Sequence, residues 1–201
     1  CSHSKSEMGL AAIVSGGGGA IVVIGVASVS GARCQIAELQ RTVATFAAKI
    51  RSHPWVGAYT VIVPIIECNN NEIAAASLLG ALKPYGPLFI PFTAPRFERH
   101  ITPGVGVWTT ESTTAAALST FYQIMVENRI AVAAEVVTVG REAFHPKAEE
   151  PTQKSMLKLV ADQLSQFHDD DKGKVTGKTT DGLQDDLGMA MLLAVYWRLA
   201  T

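Results

Sequence analysis

Cysteine is scarce in this 201-residue chain, with three in all. Cys1, Cys34 and Cys68 form no Cys-x-x-Cys spacing, so a disulfide framework or a zinc site is not expected and a reducing compartment is. Charge is thin as well: 17% of residues are charged, and 17 basic against 18 acidic side chains leave a net −1. That balance exerts no overall pull on a polyanion. Any such contact would fall to local groups such as Arg96, Arg99 and His100, or Lys172, Lys174 and Lys178. No apolar run is long and uninterrupted enough for a spanning helix. Ala20 to Val29 is too short, and no basic region precedes it, so no signal peptide is read. The glycines from Gly16 to Gly19 are not followed by Gly-Lys-Ser/Thr, which argues against a phosphate loop. No internal repeat and no domain-scale linker is found, so one domain over residues 1–201 is expected.

What the chain does have is apolar residues, 48% of the total, and clear periodicity. Met8 to Val14 and Ala20 to Val29 read as two strands of a hairpin around the glycine turn. Gln35 to Ser52 has helical spacing through Ile36, Leu39, Val43, Phe46, Ala47 and Ile50, and His53-Pro54 stops it. Thr60 to Ile66 is nearly all β-branched, which predicts a strand buried on both faces. Pro64 cannot donate to a ladder and argues for a bulge or an edge there. A helix over about 71–83, with Ile73, Leu78, Leu79 and Leu82 inward, is expected next, then a short strand over Leu88 to Phe92 and a long loop to Thr110. Thr114 to Asn128 is predicted helical, burying Leu118, Phe121, Ile124 and Met125; Ile130 to Val139 is predicted extended. Thr152 to Phe167 is amphipathic, and Leu187 to Ala200 is apolar nearly all round, so that helix must be buried. Asp181 could cap it. The order suits a mixed α/β sheet with helices on both faces.

Two acidic features carry possible chemistry. Glu67 ends the β-branched run and is followed by Cys68, Asn69, Asn70 and Asn71. A charge at the end of a buried strand is costly without a partner, and ligand sites in open α/β sheets lie at strand carboxyl ends. Asp185 and Asp186 open the last helix, where carboxylates also meet the positive end of the dipole. Successive helical residues point about 100° apart, so one of the pair can aim directly at a given site. If Glu67 and one of these aspartates converge, their hard oxygens suit two Mg²⁺ or Mn²⁺ ions acting on a phosphodiester. A third carboxylate is normally wanted; Asp181, Glu72 and Asp169 to Asp171 are the weaker candidates.

The blocks also resemble, in the same order, the carboxy-terminal nuclease domain of the herpesvirus-type terminase large subunit, an RNase H-like fold. Met8-Gly9-Leu10-Ala11-Ala12-Ile13-Val14 is similar to the family's second strand, and Ile36 to Ile50 to the helix after its hairpin. Ile65-Ile66-Glu67-Cys68-Asn69-Asn70 is similar to its Val-Glu-Gly-Asn strand end, where the Glu ligates metal. Val175-Thr176-Gly177-Lys178, then Gln184-Asp185-Asp186-Leu187 and Ala194-Val195-Tyr196, resembles its Gly-Lys and Asp-Asp-Leu motif. The resemblance covers nearly the whole chain, and its specificity lies in the order of the blocks. It implies a metal-dependent endonuclease cutting double-stranded DNA during genome packaging, in the host nucleus. Glu67, Asp185 and Asp186 would be the catalytic and metal-binding residues, and Asn69, Asn70, Arg96, Arg99 and Lys178 would contact DNA. It also implies an ATPase motor domain or subunit and packaging machinery as partners; this chain has no Walker motif of its own. The family's first catalytic Asp ends a strand ahead of the second one, and no Asp lies in residues 1–34. A preceding segment carrying that strand is therefore expected, with His3 and Glu7 as substitutes otherwise. Two alternatives stand beside the nuclease: an RNase H-like scaffold or assembly factor without catalysis, and a resolvase-like enzyme for branched DNA.

Overall fold

The computed structural model describes residues 7–30, 35–67, 72–85, 90, 101–102, 106–140, 152–169, 175–177 and 185–200. The chain divides into two compact units, one formed by Cys1–Cys34 with Glu111–Thr201, the other by Gln35–Thr110.

The first unit is built on a mixed sheet. β1 (Glu7–Ser15) and β2 (Ile21–Ser30) pair antiparallel, and β2 pairs parallel with β5 (Ile130–Val139). The hairpin closes through a glycine turn in which Gly16 N–H donates to the Ala20 carbonyl at 2.8 Å. Gly18 and Gly19 there have φ of 66° and 77°, values a side chain would oppose. Arg129 ties this tip down, its Nη2 donating to the Gly19 carbonyl at 2.9 Å.

β2 is buried along its length, as a strand covered on both faces must be. Its side chains do not simply alternate. The partners of β1 step from Gly25 to Val23, leaving Ile24 as an extra residue. This bulge is what lets Ile21, Val23 and Val26 enter the same core. Across Ile24 the partners on β5 jump from Val132 to Val137. Val136, inside that gap, donates its N–H to Gln153 Oε1 at 3.3 Å.

Three helices complete the unit: α3 (Glu111–Val126), α4 (Gln153–Ser165) and α5 (Asp186–Ala200). α5 packs on β1 and on both other helices. Leu187, Leu192 and Val195 are fully buried, each such side chain contributing about 1.5–3 kcal/mol by leaving water. Thr152 caps α4, accepting from Ser155 N–H at 3.1 Å. A short pair, β6 (His168–Asp169) with β7 (Val175–Thr176), precedes α5. On α3 the buried residues are Thr114, Ala117, Phe121 and Ile124. Met125, expected inside, is exposed: apolar residues encircle this end of the helix, so the pattern alone does not choose a face.

The second unit packs α1 (Ile36–Arg51) against α2 (Glu72–Leu82). Gln40 Nε2 donates to Ser77 Oγ at 2.7 Å across that contact. Ala75, Leu78 and Leu82 are buried, but Ile73, expected inward, is 85% exposed. A 3₁₀ turn over Lys83–Tyr85 follows α2. β3 (Ile101–Thr102) and β4 (Gly106–Val107) form a small antiparallel pair. Of the strand expected over Leu88 to Phe92, only Ile90 is described; its N–H reaches the Ile62 carbonyl at 3.0 Å.

The β-branched run Thr60 to Ile66 departs most from expectation. It makes no regular strand, and Val61 and Val63 are each 47% exposed. Pro64 has no N–H to give a ladder, and the run is held at points on either side of it, through Ile62 and Ile66.

Candidate active site

The acidic pair lies at the head of α5. The Asp185 carbonyl accepts the N–H of Met189 at 2.8 Å, which makes Asp185 the N-cap residue and Asp186 the first residue of the helix. Asp181, expected to cap, lies outside the described residues. Asp185 is buried, 8% exposed, and Asp186 is half-buried. Both are favoured there by the helix dipole.

Three contacts fix this end. Gly9 of β1 lies so close that a Cβ on it would sit 2.4 Å from the Asp186 carbonyl oxygen and from Leu187 Cα. The Asp186–Leu187 backbone therefore rests directly on β1. Gly177, just after β7, faces Asp185: a Cβ there would come 2.7 Å from Asp185 Cβ and 3.0 Å from its Oδ2. From α4, the buried Gln163 accepts Gly188 N–H on its Oε1 at 2.8 Å. An N-cap carboxylate ordinarily takes the second or third amide of its own helix. Here the third belongs to Gln163.

Glu67 belongs to the second unit. Its backbone pairs with Val107 as an isolated parallel bridge, with Val107 N–H donating to the Ile66 carbonyl at 2.7 Å. Thr109 Oγ1 donates to Glu67 Oε1. The side chain is exposed, which corrects the expectation of an acid at the end of a buried strand; the run before it is itself partly in solvent. Thr109 was not singled out by the sequence, although it follows Val107 at the two-residue spacing that keeps side chains on one side of an extended segment.

Asn69, Asn70, Arg96, Arg99 and Lys178 lie outside the described residues, as do His3, Asp170 and Asp171. Glu7 opens β1, Glu72 opens α2, and Asp169 ends β6. Among the described residues no group of three or more His, Cys, Asp or Glu side chains could hold a metal ion. The donor chemistry of the acids does suit a hard divalent cation. Asp185 as a residue is 8% exposed, and no side-chain hydrogen bond or ion pair of its carboxylate is seen among the described residues. Among those residues, too, no helix is long and apolar enough to cross a membrane.

No protein-family model matches the sequence, and no curated protein matches it either. Solved structures do. The Mn-soaked human cytomegalovirus terminase nuclease domain is similar with a TM-score of 0.67 at 16% identity, over 96% of this chain and 78% of that one. The inhibitor-bound, Mn-soaked form gives 0.62 at 15% identity, over 94% and 76%. The same nuclease domain in a further structure gives 0.61 at 15%, again over 94% and 76%. The chain thus has the RNase H-like mixed α/β fold of these nuclease domains.

Proposed function

We propose that this chain is a divalent-metal-dependent endonuclease domain that cuts double-stranded DNA in the manner of a genome-packaging terminase. The observation that carries the reading is the likeness to a terminase nuclease domain along 96% of the chain. The order of the acidic blocks in the sequence supports pairing Glu67 with Asp185 and Asp186 as ligands. Bound Mg²⁺ or Mn²⁺, two ions at full occupancy, would activate a water and stabilise the leaving oxygen of the phosphodiester.

The residues of the chain prepare for this. The Thr109 hydroxyl holds one oxygen of Glu67 and so orients the carboxylate. Burial restricts the Asp185 side chain. Asn69, Asn70, Arg96, Arg99 and Lys178 are assigned to the DNA backbone, an ATPase motor to a partner domain or subunit, and the host nucleus to the place of action.

The test is plasmid cleavage with Mn²⁺ by wild type, Glu67→Ala and Asp185→Ala, alongside a four-way junction substrate. Wild type should cut the plasmid. Losing a ligand should cost at least the roughly 100-fold that outer-shell changes reach. Equal cutting by all three would remove these acids from the site. No cutting by wild type would favour the scaffold, and cutting confined to junctions the resolvase.

A further inference from the structure

We infer that Gln163 is a positioning residue for the acidic pair: by capping α5 from α4, it releases the Asp185 carboxylate from its own helix. The inference rests on the reading of Asp185 as a metal ligand.

Gln163 is 3% exposed and sits among Met156, Val160 and Phe167, the apolar stripe of α4 and its end. An amide in such a place is costly unless bonded, and a Met or Leu would fill the same space with no polar atom to satisfy. What the amide does there is accept Gly188 N–H at 2.8 Å. Gly188 is the third residue of α5, so this N–H is one of the orphan donors of the helix start. It is also one of the donors that an N-cap aspartate ordinarily takes for itself.

The surrounding glycines fit this division of labour. Without a side chain on Gly188, Gln163 comes close: a Cβ there would sit 3.2 Å from Gln163 Cβ and 3.3 Å from Phe167 Cε2. Gly177 leaves the space over which Asp185 Oδ2 lies. The carboxylate is thereby held beside β7 and not folded back on the α5 amides. Remove the acceptor at 163, and the acceptor that an N-cap aspartate ordinarily offers to this N–H is its own carboxylate. Once turned inward to cap, the same oxygen is no longer a ligand.

Calorimetric titration of the whole protein with Mn²⁺ tests this, with thermal unfolding in EDTA run beside it. Gln163→Met keeps the volume and loses the oxygen; it should weaken Mn²⁺ binding by about 10-fold, the lower range for groups that orient a ligand. Gln163→Glu, which keeps an acceptor, should restore it. In an Asp185→Ala background Gln163→Met should have no further effect on Mn²⁺, since the two act through one carboxylate. If Gln163→Met melts earlier but binds Mn²⁺ like wild type, while Asp185→Ala does not bind, the inference fails and the ligand reading stands. If Asp185→Ala binds like wild type, the ligand reading fails. Should Gln163→Met not fold, Gln163→Leu in the same titration takes its place.

Discussion

Gly9→Ala places a single methyl at the contact between β1 and α5. The added carbon would lie 2.4 Å from the Asp186 carbonyl oxygen and Leu187 Cα, and 2.5 Å from the Asp186 carbonyl carbon. All three are backbone atoms, so no rotamer change relieves the clash. Reaching an ordinary contact near 3.5–4.0 Å requires α5 and β1 to separate by about 1 Å. A gap of that size forfeits a quarter to a half of each contact it opens, and Leu187, Leu192 and Val195 are fully buried in the core that α5 closes. Overpacking typically costs about 1–3 kcal/mol; with only backbone to yield, the upper end, about 3 kcal/mol, is expected. For a chain of this size that lowers Tm by roughly 6–12 °C, at about 2–4 °C per kcal/mol. Differential scanning calorimetry reads it directly. Gly80→Ala is the control: inside α2, with nothing within 4 Å of the added carbon, it should raise stability by about 1 kcal/mol. A Gly9→Ala protein melting within about 1 °C of wild type would refute the close approach of strand and helix.

Gly177→Ala presses on Asp185 Cβ and Oδ2 from the side of β7 and should weaken Mn²⁺ binding in the same titration by about 10-fold, whereas unchanged binding would place the ligand oxygen elsewhere. Glu127 tests electrostatics away from the site. The hydrogen bond from Arg129, and next that from Gln123, hold its carboxyl below the ordinary value of 4.5. Because the folded pKa is the lower one, the stabilisation is whole above the ordinary pKa and is lost as pH falls through the lowered one. The Tm difference between wild type and Glu127→Gln should be steady at neutral pH and close below pH 4.5; a gap that widens on acidification would show the opposite shift.

Strands and helices with one dominant signal were legible in the sequence. β2 is a long apolar run and proved buried, and α1 carries its apolar residues at helical spacing. Where apolar residues surround an element the pattern fails, as Ile73 and Met125 show. In Thr60 to Ile66, β-branched composition signalled a buried strand, and one missing N–H at Pro64 outweighed it. The acids of the candidate site could be named from their places at a run's end and a helix's start. What orders them could not: Gly9, Gly177, Thr109 and Gln163 act through approach in space. Gln163 did leave a trace, as the one amide at a buried position of the stripe through Met156, Val160 and Phe167.

The head of α5 rests on β1, and Arg198 Nε near its other end donates to Ser15 Oγ at 2.7 Å across a sequence separation of 183. Local contacts can form early, but this one closes a long loop, with the entropy that such closure costs. The seat of Asp185 and Asp186 is therefore expected to be completed late in folding, once the hairpin is available to receive it. The hairpin precedes α5 along the chain, so on the ribosome it is made before the helix that it receives. Mutations that loosen the β1–α5 contact should then speed unfolding more than they slow the formation of the hairpin.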